Sequence, residues 1–554
     1  MDKGWPFLHS SRENDVKETQ ESEVGATITP HITSRLKLPS FLNIMPLLDS
    51  TPPYPHYEHL PYAREPWKSG YVFMRLTTTL LMVPWWAVYY TFMPRSVRPR
   101  ASWNLRQCIY VNFIRRVFKV TEVAGVTWGT RDPTLEPADI TLSETTWEWA
   151  EPLKEEWRTG IIKEGAPFTR VGCYIWPRQA KSMKDTIMDK VHRKSDVGNP
   201  DTKAPVDDKT YLVGIFMHGG GYCHMSAHES SRTSRIPRGL IKRGILDEVY
   251  SVEYRLLQIA PFPAVVQDAA AVYQHVLEKY ETMGKKCKII LCGDSSGGNL
   301  VLALTRWLRD EGHMRMPDGL ILLSPSCDTS HDLPETLSSY IPRPNEWSDY
   351  LVDNPEPRAL LQRTFLGFPK GGGPTTQEDE RRLMQIGHSE YVSPCSPIVL
   401  ERWGHTVVQD PEGQHRRDFW KEVLPNLPHF MKLYRTPNAL NPMVRTMTGE
   451  PWDDSNNPYR KSCQFPSLFA AFPKTIVVCG DGERLVREVR ALVAAMSKDG
   501  VDITTYWAPD ACHDPLMINE NWWDKKVLNS IWEEIAKWTA SGFNGDDTKI
   551  STLV

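Results

Sequence analysis

The sequence predicts an α/β protein in which a mostly parallel central sheet carries helices on both faces. Short, continuously apolar runs, typical of strands buried on both faces, recur from residue 208 onward. Segments whose apolar residues repeat at helical spacing lie between them, and this alternation indicates strand–helix–strand units. The predicted strands are TYLVGIFM, EVYSVEY, KIILCG, GLILLS, TIVVCG and ITTYWA, which begin at Thr210, Glu248, Lys288, Gly319, Thr475 and Ile503.

The alternation of strands and helices divides the predicted core into two parts. It occupies residues 208–325 and resumes over residues 474–540. Helices are predicted from Ala264, from Gly297 and from Leu485. The Pro-rich segment 326–473 interrupts the core, and a structureless loop of that length does not fit a compact domain. We therefore predict a mainly helical insertion that serves as part of a lid.

The termini differ from the core in composition. Residues 1–60 are polar and rich in proline, and we predict that they are poorly ordered. Residues 61–207 are predicted to form a helical region that completes the lid. Residues 541–554 form a polar tail.

Composition excludes some classes of function and favours one compartment. The net charge is −3 at pH 7, so nothing points to nucleic acid as a partner. The ten cysteines show neither CxxC nor metal-ligand spacing, and no metal or organic cofactor is implied. The chain carries no signal-peptide pattern and no N-glycosylation sequon. We expect a protein that is cytoplasmic or faces the cytosol from a membrane, and that is not secreted.

Residues 76–93 form an uncharged apolar stretch with two open interpretations. Its 18 residues are at the lower limit for a membrane span, and Trp85 and Tyr89 resemble interfacial aromatics. Arg75 precedes the stretch and Arg95 follows it. A helix packed inside the lid would have the same composition. Membrane association and lid packing therefore both remain as predictions, and a span would place the following residues in the cytosol.

The most informative motif is Gly293-Asp294-Ser295-Ser296-Gly297. It is a G-x-S-x-G sequence directly after a predicted strand and before a predicted helix. A tight turn in this position exposes the serine hydroxyl at the end of the sheet, and the glycines relieve crowding. A purely structural Gly–Ser turn is the alternative. The setting favours Ser295 as a nucleophile.

A second motif, His218-Gly219-Gly220-Gly221, follows the strand that ends at Met217. Glycines allow backbone N–H groups to approach a developing oxyanion, which side chains would block. A flexible turn is the alternative. Its place upstream of the serine motif, at the end of another strand, favours the oxyanion role.

A serine nucleophile needs a base and an acid that orients the base. His513 follows the last predicted strand, which agrees with the chain order serine, acid, histidine. The loop after TIVVCG offers Asp481 and Glu483 as the acid. The residues alone leave this choice open.

Together these motifs resemble the hormone-sensitive-lipase branch of the α/β-hydrolases, the fold-3 type, and in particular its fungal members. HGGGY and GDSSGGNL match the oxyanion and nucleophile motifs of that branch, and the segment from Tyr254 to Ala269 matches its YRL…PFPA…D pattern. The resemblance also includes LLSPSCD, YVSP and the segment 475–516. It implies the α/β-hydrolase fold. The N-terminal region and much of the insertion have no counterpart in it.

The resemblance also implies roles for individual residues. The spacing from Gly480 to Leu485 places Glu483 at the position of the family's acid, where aspartate is more common. The implied oxyanion donors are the amides of Gly219, Gly220 and Ser296, and the implied role of His218 is to brace the glycine loop.

The predicted function is that of a serine carboxylic-ester hydrolase, lipase-like, which acts on a small apolar ester through an acyl-enzyme. An acyltransferase with the same triad is one alternative. A non-catalytic ligand-binding protein is another, since gibberellin receptors have this fold without the triad histidine. The resemblance to fungal proteins further suggests a place in secondary metabolism. No oligomeric state is predicted.

Overall fold

The computed structural model describes ten parts of the chain, which hold the predicted core from residue 209 onward. They are residues 62, 65–124, 131–163, 165–178, 209–332, 343–352, 362, 365–367, 376–407 and 465–543. The predictions for residues 1–60, for the tail beyond residue 543 and for much of the insertion lie outside the described residues.

An eight-stranded sheet forms the centre of the fold. Its strands are β1 (Thr146–Ala150), β2 (Val171–Trp176), β3 (Thr210–Met217), β4 (Glu248–Glu253), β5 (Lys286–Asp294), β6 (Gly319–Leu323), β7 (Lys474–Gly480) and β8 (Ile503–Ala508). The strand order is β1-β2-β4-β3-β5-β6-β7-β8. From β4 to β8 every pairing is parallel, whereas β2 pairs antiparallel with both β1 and β4. The predicted α/β class is confirmed.

The N-terminal region differs from its prediction because it also supplies β1 and β2. The sequence predicts a helical region over residues 61–207. The sequence of β1, TWEWA, alternates in character and leaves β1 half-buried at the edge of the sheet, so it lacks the apolar run that reveals a central strand. Strand β2 is buried throughout, but its sequence VGCYIW is short and contains glycine.

Nine α-helices are described around the sheet. They are α1 (Trp67–Phe92), α2 (Leu105–Ala124), α3 (Arg235–Lys242), α4 (Ala264–Thr282), α5 (Ser296–Glu311), α6 (Gln377–Gly387), α7 (Pro397–Arg402), α8 (Val486–Lys498) and α9 (Lys525–Phe543). Helices α6 and α7 belong to the segment predicted as an insertion, and the mainly helical character of that segment as a whole stays a prediction.

Two apolar cores lie on opposite faces of the sheet. Side chains alternate between the faces along each strand. In β3, Val213, Ile215 and Met217 therefore pack into one core and Leu212 and Phe216 into the other. The continuous apolar run of β3 follows from this burial on both sides.

The carboxyl ends of the parallel strands collect the predicted catalytic segments. Residue 218 follows β3, residue 295 follows β5, and the segments after β7 and β8 carry the candidate acids and base. Parallel strands end at the same edge of a sheet, where open α/β sheets bind their ligands. The fold thus brings residues separated by up to 295 positions to one edge.

Helix α1 contains the apolar stretch 76–93 up to Phe92 and packs along α2. Asn112 of α2 donates a hydrogen bond to the Tyr90 hydroxyl over 3.0 Å, and Arg116 donates to Thr79 over 3.2 Å. The opposite side of α1 is exposed. Within the described part of the chain, no helix combines the length and apolarity that crossing a membrane requires.

Candidate active site

The turn after β5 holds Ser295 in a conformation that non-glycine residues rarely adopt. Its φ is 52° and its ψ is −120°, directly before the first residue of α5. Such a backbone is strained and persists where the surroundings determine it. A Cβ atom on Gly297 would lie 2.0 Å from the Met217 carbonyl oxygen, and one on Gly293 would lie 2.4 Å from that of Gly297. Both glycines are therefore sterically required for the turn.

His513 contacts Ser295. Its Nε2 atom lies 2.9 Å from Ser295 Oγ, within hydrogen-bond range. The histidine is buried, and its backbone N–H donates to Asp349 Oδ1 over 3.3 Å. The structure thus brings the predicted nucleophile and the predicted base into contact across 218 positions of sequence.

Glu483, and not Asp481, faces the imidazole. Its Oε2 atom lies 3.8 Å from His513 Nδ1, and its side chain is completely buried. The hydroxyl of Ser324 donates to Oε2 over 2.6 Å and the amide of Gly480 over 3.1 Å. Catalytic hydrogen bonds are often long before substrate binds, so 3.8 Å is compatible with an orienting role.

Asp481 contacts Arg100, and not His513, through its carboxylate. Its carboxylate forms an ion pair with Arg100 Nη1 at 2.9 Å, and 38% of its side chain is exposed. Arg100 also donates to the Asp481 carbonyl over 2.8 Å. Asp481 therefore ties the segment between α1 and α2 to this loop.

The glycine loop offers a set of oxyanion donors that differs by one residue from the set that the resemblance implies. The amide of Gly219 donates to Asp294 Oδ1 over 2.9 Å, so it is already engaged and does not serve an oxyanion as predicted. Gly220, Gly221 and Ser296 instead line the cleft beside Ser295. No acceptor within the described residues takes the amide hydrogens of Gly220 or Gly221. This shift by one residue depends on the Asp294 contact, which the sequence does not reveal.

His218 packs beneath the glycine loop. Its Nδ1 atom lies 2.7 Å from the Gly219 carbonyl oxygen, and its ring stacks on Tyr254 with centroids 4.3 Å apart. The Tyr254 hydroxyl donates to the His218 carbonyl over 2.5 Å. Burial lowers the pKa of His218 to about 4, so a neutral imidazole is expected here.

Asp349 is a site residue that the sequence analysis missed. It is buried, and its Oδ2 atom accepts the Arg484 amide over 2.6 Å while Oδ1 accepts that of His513. One carboxylate thus joins the loop that carries Glu483 to the loop that carries His513. Arg115 of α2 donates to the Asp349 carbonyl over 2.6 Å. Asp349 lies in the insertion, outside every recognised motif, so no sequence signal marked it.

Asp514 is the second missed residue. It directly follows His513, is buried, and lines the cleft. Its Oδ2 atom lies 2.9 Å from His513 Nε2. A carboxylate next to the candidate base is visible in the sequence HDP, and this adjacency was the available signal.

The carboxyl groups control the charge of the base. Burial alone would lower the pKa of His513, but the nearby carboxylates of Asp514 and Glu483 outweigh this and raise it well above its usual value. Burial raises the pKa of Asp514 to about 6, against the opposing influence of His513. Burial, reinforced by Asp514, also raises the pKa of Asp294 well above its usual value.

Both parts of the predicted lid contribute to the cleft. Phe118 comes from α2, and Tyr350, Leu351 and Val352 come from the insertion. Core residues complete the wall: Tyr222, Cys223, His224, Met225, Ser326, Thr329, Leu485 and Met517. The wall is largely apolar, which suits an organic ester. Within the described residues, no group of three or more His, Cys, Asp or Glu side chains is arranged to hold a metal ion.

Comparisons with known proteins agree with this architecture. A family model described as an alpha/beta hydrolase fold matches residues 214–365. An acetyl-hydrolase of Streptomyces hygroscopicus is 26% identical over 256 residues, which make up 43% of this chain and 76% of that protein. A gibberellin receptor of Arabidopsis thaliana is 33% identical over 122 residues, 21% of this chain and 35% of the receptor. The hormone-sensitive lipase of Mus musculus is 27% identical over 115 residues, 20% of this chain and 14% of the lipase.

The matched segments cover three quarters of the acetyl-hydrolase and about a third or less of the other two proteins. A mostly parallel eight-stranded sheet with a serine turn after β5 defines an α/β-hydrolase. Residues 214–365 therefore form an alpha/beta hydrolase domain, and the chain is similar to an acetyl-hydrolase and to hormone-sensitive lipase.

Proposed function

We propose that this chain is a serine carboxylic-ester hydrolase that cleaves a small apolar ester through an acyl-enzyme. The contact of 2.9 Å between Ser295 Oγ and His513 Nε2 carries this proposal, because it pairs a hydroxyl on a strained turn with a base inside an apolar cleft. The similarity to an acetyl-hydrolase supports the same reaction class.

In the first step, His513 Nε2 accepts the proton of Ser295 as Oγ attacks the ester carbonyl carbon. The carbonyl oxygen becomes an oxyanion, which the amides of Gly220, Gly221 and Ser296 stabilise as hydrogen-bond donors. Glu483 favours the tautomer with hydrogen on Nδ1 and stabilises the imidazolium that forms. When the tetrahedral intermediate collapses, the alkoxide leaves and takes the proton from Nε2.

In the second step, water replaces the departed alcohol. His513 Nε2 accepts a proton from the water as its oxygen attacks the acyl carbon. Collapse of the second intermediate releases the carboxylic acid and returns the proton to Ser295. One water is consumed, and one acid and one alcohol are produced in each cycle.

Two alternatives use the same fold. A ligand-binding protein does not need Ser295 and His513 in contact, and their contact favours catalysis. An acyltransferase differs only in the second step, where an alcohol replaces water. Product analysis separates these possibilities. With p-nitrophenyl butyrate and a series of added alcohols, we expect butyrate to remain the main product, whereas butyrate esters as main products would establish acyl transfer.

We further infer that the exposed side of α1 rests on a lipid surface. Ten of the seventeen large apolar side chains exposed by the described residues lie between Trp67 and Val97. Leu81 is 72% exposed, Trp85 is 59% exposed and Phe92 is 80% exposed. A contiguous apolar surface of this kind is typical of interaction sites, and tryptophan is favoured at membrane interfaces.

The charges near α1 are compatible with this surface. Lys68 and Arg75 are the charged residues of α1, and Arg95 follows the helix. Anionic lipids attract such basic residues. The segment after α1 also contacts the catalytic loops, since Trp103 Nε1 donates to the Asp510 carbonyl over 2.8 Å. A lipid surface at α1 would therefore lie close to the loop after β8, which carries His513.

We also propose that the catalytic domain faces the cytosol. All nine cysteines among the described residues are free thiols, and only Cys287 is not buried. Burial raises the pKa of thiols such as Cys292 and Cys479 above their usual range, which keeps them unreactive. Free buried thiols suit a reducing compartment.

We expect the full chain to float with vesicles of phosphatidylcholine and phosphatidylserine. The double substitution Leu81→Glu and Trp85→Glu should weaken vesicle binding roughly tenfold or more, because it places charge in the apolar face. Ile140→Glu is the matched control. Ile140 is 93% exposed but lies outside α1, so this substitution should not alter vesicle binding. A chain that does not bind vesicles contradicts the proposed lipid surface at α1.

In sealed microsomes, added protease should cut the catalytic domain. A catalytic domain that is protected from protease contradicts the proposed cytosolic orientation.

A further inference from the structure

The cleft contains a buried carboxyl group that the hydrolytic mechanism does not use. Asp514 lines the cleft, and its side chain is fully buried. Its Oδ1 atom has no hydrogen-bond partner among the described residues, and the contact of Oδ2 is with His513 Nε2. A buried carboxyl group with an unsatisfied oxygen is costly. The short approach to His513 Nε2, 2.9 Å, therefore needs an explanation.

The backbone around Asp514 fixes this arrangement. Asp514 has left-handed angles, φ 42° and ψ 61°, which aspartate tolerates better than most residues. Its amide donates to Ser324 Oγ over 3.3 Å, and the same hydroxyl donates to Glu483. Ser324, which contacts Glu483, therefore also fixes the backbone of Asp514 at the cleft.

The position of Asp514 identifies which part of a substrate it meets. In the mechanism above, the oxygen of the leaving alcohol lies about 3 Å from His513 Nε2, because that nitrogen protonates it. Asp514 Oδ2 lies 2.9 Å from the same nitrogen. The carboxyl group and the leaving oxygen are therefore at most about 6 Å apart. A substituent on the carbon next to the ester-bearing carbon can bridge that distance.

We propose that Asp514 accepts a hydrogen bond from a hydroxyl group on the alcohol part of the substrate, adjacent to the ester linkage. The preferred substrates are then monoesters of diols or polyols, and their apolar portion contacts the rest of the cleft. The inference rests on the proposed ester hydrolysis. Hydrogen bonding by the substrate would also draw the carboxylate away from His513 Nε2, leaving that nitrogen to serve Ser295.

The test compares two isosteric substrates, 2-hydroxyethyl butyrate and propyl butyrate. A site built to bind a hydroxyl strongly disfavours the analogue that lacks it. We expect kcat/KM to be about 10- to 100-fold higher for the hydroxyethyl ester, in line with a hydrogen bond to a charged group. Asp514→Gly, which suits left-handed angles, removes the acceptor and should reduce the ratio to within about twofold.

Two further variants separate recognition from structure. Asp514→Asn keeps an acceptor without charge and should give an intermediate ratio. Asp510→Gly is the matched control, because Asp510 also has a left-handed φ, 56°, but lies outside the cleft lining. Its substrate ratio should equal that of the wild type.

The pH profile gives an independent readout. His513 must be neutral to act as base, so kcat/KM falls as pH drops through its raised pKa. Removing the Asp514 carboxylate should move this acid limb to lower pH by roughly one unit. Glu483, Asp349 and Asp294 are the other carboxyl groups facing this pair, and they remain in the variant.

Several outcomes overturn the proposal. Equal rates for the two esters in the wild type, or an equal loss on both in Asp514→Gly, would exclude hydroxyl recognition. A preference for butyrylcholine over the hydroxyethyl ester would assign Asp514 to a cation instead. Absence of activity on p-nitrophenyl butyrate as well would refute the ester hydrolysis itself, which keeps the two failures distinct.

Discussion

Replacing Ser295 with alanine is expected to lower kcat for p-nitrophenyl butyrate by about 10⁴- to 10⁶-fold. The substitution removes the only atom that forms the acyl-enzyme in the proposed mechanism. It leaves the strained turn in place, because the turn depends on the adjacent glycines and on the hydrogen bond from the Ser295 amide to the Leu323 carbonyl, 2.9 Å. Steady-state kinetics of the purified variant provide the measurement.

A thermal unfolding curve is the control for this variant. The melting temperature should stay close to that of the wild type, since a hydroxyl is replaced by hydrogen in a position that faces the cleft. Esterase activity of the variant near the wild-type level would show that another group performs the attack.

Replacing Glu483 with glutamine is expected to cost about 10³-fold or more in kcat. The amide would no longer favour the tautomer with hydrogen on His513 Nδ1, nor stabilise the imidazolium. Asp481→Asn is the matched comparison from the same loop. Its carboxylate contacts Arg100 and is partly exposed, so we expect a change of less than about tenfold.

The ranking of these two variants decides the identity of the acid. A larger loss for Asp481→Asn than for Glu483→Gln would transfer the role to Asp481. Folding of both variants is checked by circular dichroism, because Glu483 also accepts hydrogen bonds from Ser324 and from Gly480. Substrate affinity separates the two effects further: an orienting acid changes kcat, whereas a displaced loop also changes KM.

Much of the core could be predicted because its signals are local. The run TYLVGIFM has to be apolar on both faces to lie in the middle of the sheet, and the sequence records this directly. The turn at Ser295 similarly needs glycines within two residues, so its sequence and geometry are linked. The position of His513 followed from the chain order of strands.

What could not be predicted depends on contacts between distant segments. Asp349 holds the amide of a residue 164 positions away, and nothing near it in the sequence indicates this. The Gly219 amide is occupied by Asp294, 75 positions away, which moves the proposed oxyanion donors by one residue. Strand β1 was missed because an edge strand with half-buried residues lacks an apolar run.

The most direct test of the central claim is labelling of the full chain with a fluorophosphonate, followed by mass-spectrometric mapping of the modified peptide. Such reagents form a stable adduct with an activated serine. The mechanism predicts one adduct per chain, located on Ser295, with loss of esterase activity in proportion to labelling and no adduct in Ser295→Ala. An adduct on another residue, or equal labelling of Ser295→Ala, would contradict it.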